Sequence, residues 1–211
     1  MRSHAVELGG PLLAALGALL AGCANPLNAY NYWHYFDCGL SASRAGDHDT
    51  AAKCFSRAAV NARVGWLGPE AESAALYDYG RAAGQLCAYD AARRSFERAL
   101  ELEESLDEQH PVHLGQRLFE LARLSFDTGQ YAEAVRWYER GFPVVRKLAA
   151  DRADPIAFAD ELDDFATALE HTGDFARAAA QRQESAQIRA DHPGALAGFA
   201  AEHYPKDCAK S

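Results

Sequence analysis

The chain has 211 residues, a formal net charge of -9 and five cysteines. That length suits one domain or one repeat array, and an acidic balance argues against a nucleic-acid partner, which needs clustered Lys and Arg to displace counterions from phosphates. Alanine, leucine, arginine and glutamate dominate, β-branched residues are sparse and no stretch alternates apolar with polar positions, so the chain reads as all-α.

In chain order, residues 1–22 come first, with Arg2 near the start and an apolar run from Pro11 to Ala21 that is too short for a typical membrane-spanning helix. The run closes on Leu20, Ala21, Gly22 and Cys23, which together resemble the lipobox of bacterial lipoproteins; Glu7, offsetting Arg2, departs from the basic start of such signals. The resemblance implies a signal peptide cleaved before Cys23, a lipid on its thiol and a place in the bacterial cell envelope. Ala24 rather than Asp after the cysteine implies the outer membrane, facing the periplasm. Residues 23–29 are expected to form a short linker between the lipid and the array over 30–204. The array opens on an aromatic-rich run from Tyr30 to Phe36. Tyr32, Tyr35 and Phe36 fall at helical spacing and suit a core, whereas Tyr30 and Trp33 point elsewhere, toward a lipid headgroup zone or a covering partner protein.

Beyond the leader the chain repeats itself. Each unit has a first helix with a small residue, a turn, and a second helix carrying a small residue, an aromatic four positions on and another small residue. Gly39 is followed by Gly46, Ala51, Phe55 and Ala58; Gly80 by Tyr89, Ala92, Phe96 and Ala99; Ala122 by Gly129, Ala134, Tyr138 and Gly141. The fourth unit has Ala166, Gly173 and Ala178, but Arg182 replaces the aromatic and Ser185 the last small residue. In the second unit Cys87 stands where a turn glycine is expected. Antiparallel helices approach closely where small side chains face each other, so Gly39 against Ala51 and Ala122 against Ala134 are expected contacts. Units with one uncovered apolar face must stack.

These features resemble the tetratricopeptide repeat (TPR), and the spacing of about 42 residues together with the segment Leu106 to Pro111 resembles the extended subtype of kinesin light chains. The resemblance implies a right-handed α-α superhelix of about four hairpins, near 32–65, 73–106, 115–148 and 159–192. A short capping helix within 194–204 and a polar tail over 205–211 complete the expected layout. It also implies a groove lined by Tyr77, Asp78 and Arg81, by Gln116, Phe119, Glu120 and Arg123, and by Asp160, Asp163, Asp164 and Thr167. Arg81 and Arg123 recur at one level of neighbouring helices, either as a ladder for peptide carboxylates and carbonyls or paired internally with Asp78 and Glu120. The lysine and asparagine clamp of chaperone-tail binders is missing from that register.

No nucleophile elbow, phosphate loop, zinc-protease helix or dinucleotide fingerprint appears, His110 and His113 lack companions at ligand spacing, and no cofactor is implied. With Cys23 reserved for lipid, Cys38 and Cys54 fall at opposite levels of the first hairpin, as a disulfide or as two buried thiols. A Cys87–Cys208 pair follows only by elimination. The expected function is a membrane-anchored, non-catalytic scaffold that binds a protein or peptide of the envelope, with a lipid-anchored enzyme or small-ligand binder as the alternative.

Overall fold

The computed structural model describes residues 25–198, 202–206 and 208, and among them the regular structure is entirely helical. The first hairpin pairs α1 (Pro26–Arg44) with α2 (His48–Val64) and the second α3 (Pro69–Gln85) with α4 (Tyr89–Glu104). The third pairs α5 (Pro111–Asp127) with α6 (Tyr131–Lys147), the short α7 (Ala150–Ala153) follows, and the fourth pairs α8 (Pro155–His171) with α9 (Phe175–Asp191).

Each first helix opens on a proline, Pro26, Pro69, Pro111 and Pro155, whose fixed φ and missing N–H suit the first helical position. This regular punctuation starts the first helices about one turn before the expected boundaries, so residues 26–29, expected in a linker, are helical. Carboxylate or amide caps close several orphan N–H groups: Asn25 accepts from Leu27, Asp47 from Thr50, Asp154 from Ala157 and Asp174 from Arg177. All four hairpin turns pass through the left-handed region, at Gly46, Cys87, Gly129 and Gly173.

Helices within a hairpin pack closely, and the second helix of each hairpin packs on the first helix of the next, α2 on α3, α4 on α5 and α6 on α8. The open face of Gly39 is taken by the Phe55 ring, where an added Cβ would meet Phe55 at 2.5 Å. Gly80 holds Phe96 in the same way, at 2.6 Å. The aromatics reach onward too: Phe55 shares a core with Ala82 of the next hairpin, and Tyr138 packs on Phe165. In the last described hairpin Arg182 stands where that aromatic belongs and bonds Glu170 and Thr167 at the surface, which gives this face a polar finish.

The described parts of 194–204 form no helix, in place of the expected cap. The proline that follows α9 is succeeded by Gly194 in a left-handed conformation. Residues 202–206 lie without regular structure across the inner helices α3, α5 and α8.

Candidate functional site

Between α5 and α8, closed at one end by the last turn of α6 and by α7, lies a cavity of about 420 Å³. Val112, Phe119, Val145, Leu148, Ala157 and Phe158 give it apolar walls. The Phe119 ring fits because Gly141 across from it has no side chain; a Cβ there would lie 2.7 Å from the ring. One side of the cavity is charged. Arg123 pairs with Glu120 at 3.0 Å and with Glu161 of α8, and Arg81 of α3 reaches Glu120 at 3.5 Å. Burial alone would weaken the Arg123 charge, but Glu161 and Glu120 beside it hold its pKa well above the usual value. The guanidinium is therefore permanently charged and neutralised from within the protein.

Adjoining the cavity, the inner surface is occupied by the chain's own C-terminal segment. Tyr204 is 3% exposed. Its ring lies on Gly84, where an added Cβ would come within 2.4 Å, and tilts against Phe96. The Tyr204 hydroxyl donates to Glu120, and its backbone N–H donates to Asp127 at 2.8 Å. His203 bridges Asp127 at 2.8 Å and Asp164 at 3.5 Å, Glu202 faces Arg81 at 3.7 Å, and the Lys206 ammonium lies over Phe126. Tyr89 donates to the Pro205 carbonyl, and Cys208 is joined to Cys87. A segment without regular structure, held by side-chain and main-chain bonds along stacked first helices, is the arrangement of a bound peptide.

The fold is that of tetratricopeptide-like repeat proteins. The chain superposes on BtubC (BKLC) from P. vanneervenii with a TM-score of 0.70 at 19% identity, over 85% of this chain and 71% of that one. MamA gives 0.59 at 15% identity over 77% and 80% of the two chains. A putative kinesin light chain of Podosopora anserina with nearly identical TPR-like repeats gives 0.58 at 19% over 87% and 85%. At these identities the likeness is one of fold. No family model and no curated protein matches the sequence.

Within this TPR-like array the structure places Tyr77, Gln116, Phe119, Glu120 and Arg123 on the cavity. Asp78 and Arg81 line a smaller hollow of about 280 Å³ toward α1, beside Arg44 and His48. Burial pushes the Asp78 carboxyl up to about 6, with Arg81 and Arg117 acting against it. The expectation for the fourth hairpin needs correction. Asp160 and Asp163 pair with Arg189 of α9 at 2.7 and 2.8 Å, and Thr167 bonds Arg182. The cavity is lined from α8 by Asp154, Ala157, Phe158 and Glu161 instead. A chamber between two hairpins uses different faces of its two inner helices, so the α5 register carried forward lands, in the last hairpin, largely on residues that pair with α9. Asp164 does face inward, and holds His203.

The arginine ladder exists, but its members meet carboxylates of the protein itself: Glu120 and Glu161 for Arg123, Glu120 and Glu202 for Arg81. Cys38 and Cys54 are joined across the first hairpin, with Cα atoms 5.9 Å apart. Tyr30 and Trp33 are 69% and 60% exposed, and Cys23 lies outside the described residues. Sequence reasoning missed Gly84, Asp127 and the segment from Glu202 to Lys206. The signal available was Cys87, a non-glycine at a turn position that three other hairpins give to glycine.

Proposed function

We propose that the chain is a membrane-anchored, non-catalytic scaffold of the cell envelope that holds a protein or peptide partner along its inner groove. The observation that carries this reading is the apolar cavity of about 420 Å³ opening beside a segment already bound as a peptide would be. A partner chain running along the first helices places an apolar side chain in that chamber. The anchor rests on the lipobox-like Leu20 to Cys23 and on the way the next residues join the fold. The Asn25 N–H donates to the Gly65 carbonyl, so a lipid on Cys23 sits within about 7 Å of extended chain from the first hairpin. Leu27, Tyr30 and Trp33, all exposed, lie on the first turns after that point, and Trp66 follows Gly65 at 83% exposure. These apolar and amphipathic groups favour the headgroup zone and orient the array on the bilayer.

The test is affinity capture from detergent-solubilised envelopes with the intact chain and with Ala157→Trp, which fills the chamber. A stoichiometric protein held by the first and lost from the second is the expected result; a protein held equally by both would remove the chamber from the binding site. The same cavity falls within the size range of small-molecule pockets, which gives the second reading, a small apolar ligand. Native mass spectrometry that finds a co-purifying metabolite and no partner would favour it. Cys23→Ser is expected to abolish lipid labelling and release the protein from membranes.

A further inference from the structure

We infer that the inner surface between α3 and α5 is a recognition site for a peptide bearing a tyrosine preceded by a cationic residue, and that the chain's own segment around Tyr204 occupies it in cis. The inference rests on the groove reading above and deepens it by naming the ligand chemistry.

The slot is built for a phenol rather than for a generic apolar group. Gly84 sits in the last turn of helix α3. Its missing Cβ is what lets the Tyr204 ring lie flush against the helix backbone. At the far end of the ring Glu120 accepts the hydroxyl proton, and it is the same carboxylate that Arg81 and Arg123 address. A phenylalanine would leave that buried carboxylate one hydrogen bond short. Asp127 accepts the main-chain N–H of the tyrosine and, through its other oxygen, the preceding imidazole; Asp164 faces the same imidazole from α8. Asp127 and Asp164, both facing that imidazole, favour a cation before the tyrosine. Tyr89 bonds the carbonyl of the proline that follows.

The chain's own segment is fastened at one point by Cys87–Cys208. Cys87 holds φ +63°, a conformation that costs a non-glycine residue about 1 kcal/mol and that Gly46, Gly129 and Gly173 hold without cost in the other hairpins. The crosslink keeps the tethered segment near the slot at an effective concentration on the order of millimolar or more, which no dilute competitor overcomes. With the crosslink absent, the slot is open to exchange.

The experiment uses the full chain carrying Cys87→Gly, Cys208→Ser and Tyr204→Ala. The glycine takes up the turn conformation without strain, and far-UV circular dichroism verifies that the helices persist. The probe is a fluorescein-labelled peptide of residues 202–208 with serine at the last position. Saturable binding is expected, weaker by about 10-fold or more when the peptide carries phenylalanine for tyrosine. Binding is lost when Gly84→Ala is added to the protein, and the unaltered oxidised chain binds none. A folded variant that binds no peptide, or binds the phenylalanine peptide equally well, overturns the inference. Should Tyr204→Ala unfold the chain, the Cys87→Gly/Cys208→Ser protein serves with its tail intact. Millimolar peptide must then speed hydrogen exchange at the Tyr204 amide as its bond to Asp127 is displaced, and unchanged exchange overturns the inference. A protein that fails these tests yet still captures an envelope partner leaves the groove reading standing without the tyrosine slot.

Discussion

Glycines in this array do two different jobs, and the side chains around them say which. Gly46, Gly129 and Gly173 serve backbone conformation, with nothing within 4 Å of the point a Cβ would occupy. Gly39, Gly80 and Gly84 serve aromatic rings, those of Phe55, Phe96 and Tyr204. Replacing Gly80 by alanine removes the helix penalty of about 1 kcal/mol but pushes a methyl group to 2.6 Å from a fully buried Phe96, an overpacking cost of about 1–3 kcal/mol. Gly80→Ala is expected to destabilise the chain by a net of up to ~2 kcal/mol, read from the urea midpoint. A midpoint that rises would mean that Phe96 moves aside freely. The sequence pattern of small and aromatic positions made Gly39 and Gly80 visible. Gly84 stood outside that pattern, because its ring comes from a residue 120 positions along the chain.

At the scale of elements, the groove and the segment lying in it respond to pH through three groups. The His203 pKa is raised by its hydrogen bond to Asp127, against the effect of burial. Asp164 is pushed up to about 6 by burial, with His203 opposing, and Asp78 is raised to about 6 chiefly by burial. In each case the folded state holds the proton more tightly than the unfolded chain does. The contribution to stability is therefore complete below the unfolded pKa, 6.5 for the imidazole and 3.8 for the carboxyls, and declines as pH rises through the folded value. For the carboxyls that decline falls between 3.8 and about 6, and for the imidazole it falls above 6.5. The melting temperature is expected to drop from about pH 5 to about pH 8, with Asp164→Asn flattening the profile. A profile that rises over that range contradicts the assignment.

At the scale of the molecule, two crosslinks act over very different lengths of chain. Cys38–Cys54 spans 16 positions within one hairpin, whereas Cys87–Cys208 spans 121 and encloses the third and fourth hairpins entire. Loop-closure entropy assigns about 3 kcal/mol to the first and about 5 kcal/mol to the second. Cys87→Ser/Cys208→Ser is thus expected to lower the free energy of unfolding by more than Cys38→Ser/Cys54→Ser, as denaturant titration would measure. The opposite order would mean that the C-terminal segment is held by its noncovalent contacts even in the unfolded chain. In a stack whose hairpins touch only their neighbours, this bond and the segment it fastens are what couple the end of the chain to its middle.

The helices, their pairing and the stacking order were legible in the sequence, because they depend on local quantities: helical spacing of small and aromatic residues, turn glycines at Gly46, Gly129 and Gly173, and a period near 42. The inward register of α5 was legible for the same reason. The contribution of α8 to the cavity was not, since a chamber between hairpins depends on how two helices are offset, and periodicity along one helix carries no information about that offset. Nor could local pattern show that residues 202–206 return to the groove. Their contacts with Gly84, Glu120 and Asp127 bridge roughly half the chain, and only the folded stack brings those positions to one surface, where burial of a single tyrosine ring and three carboxylate contacts outweigh the entropy of ordering the segment.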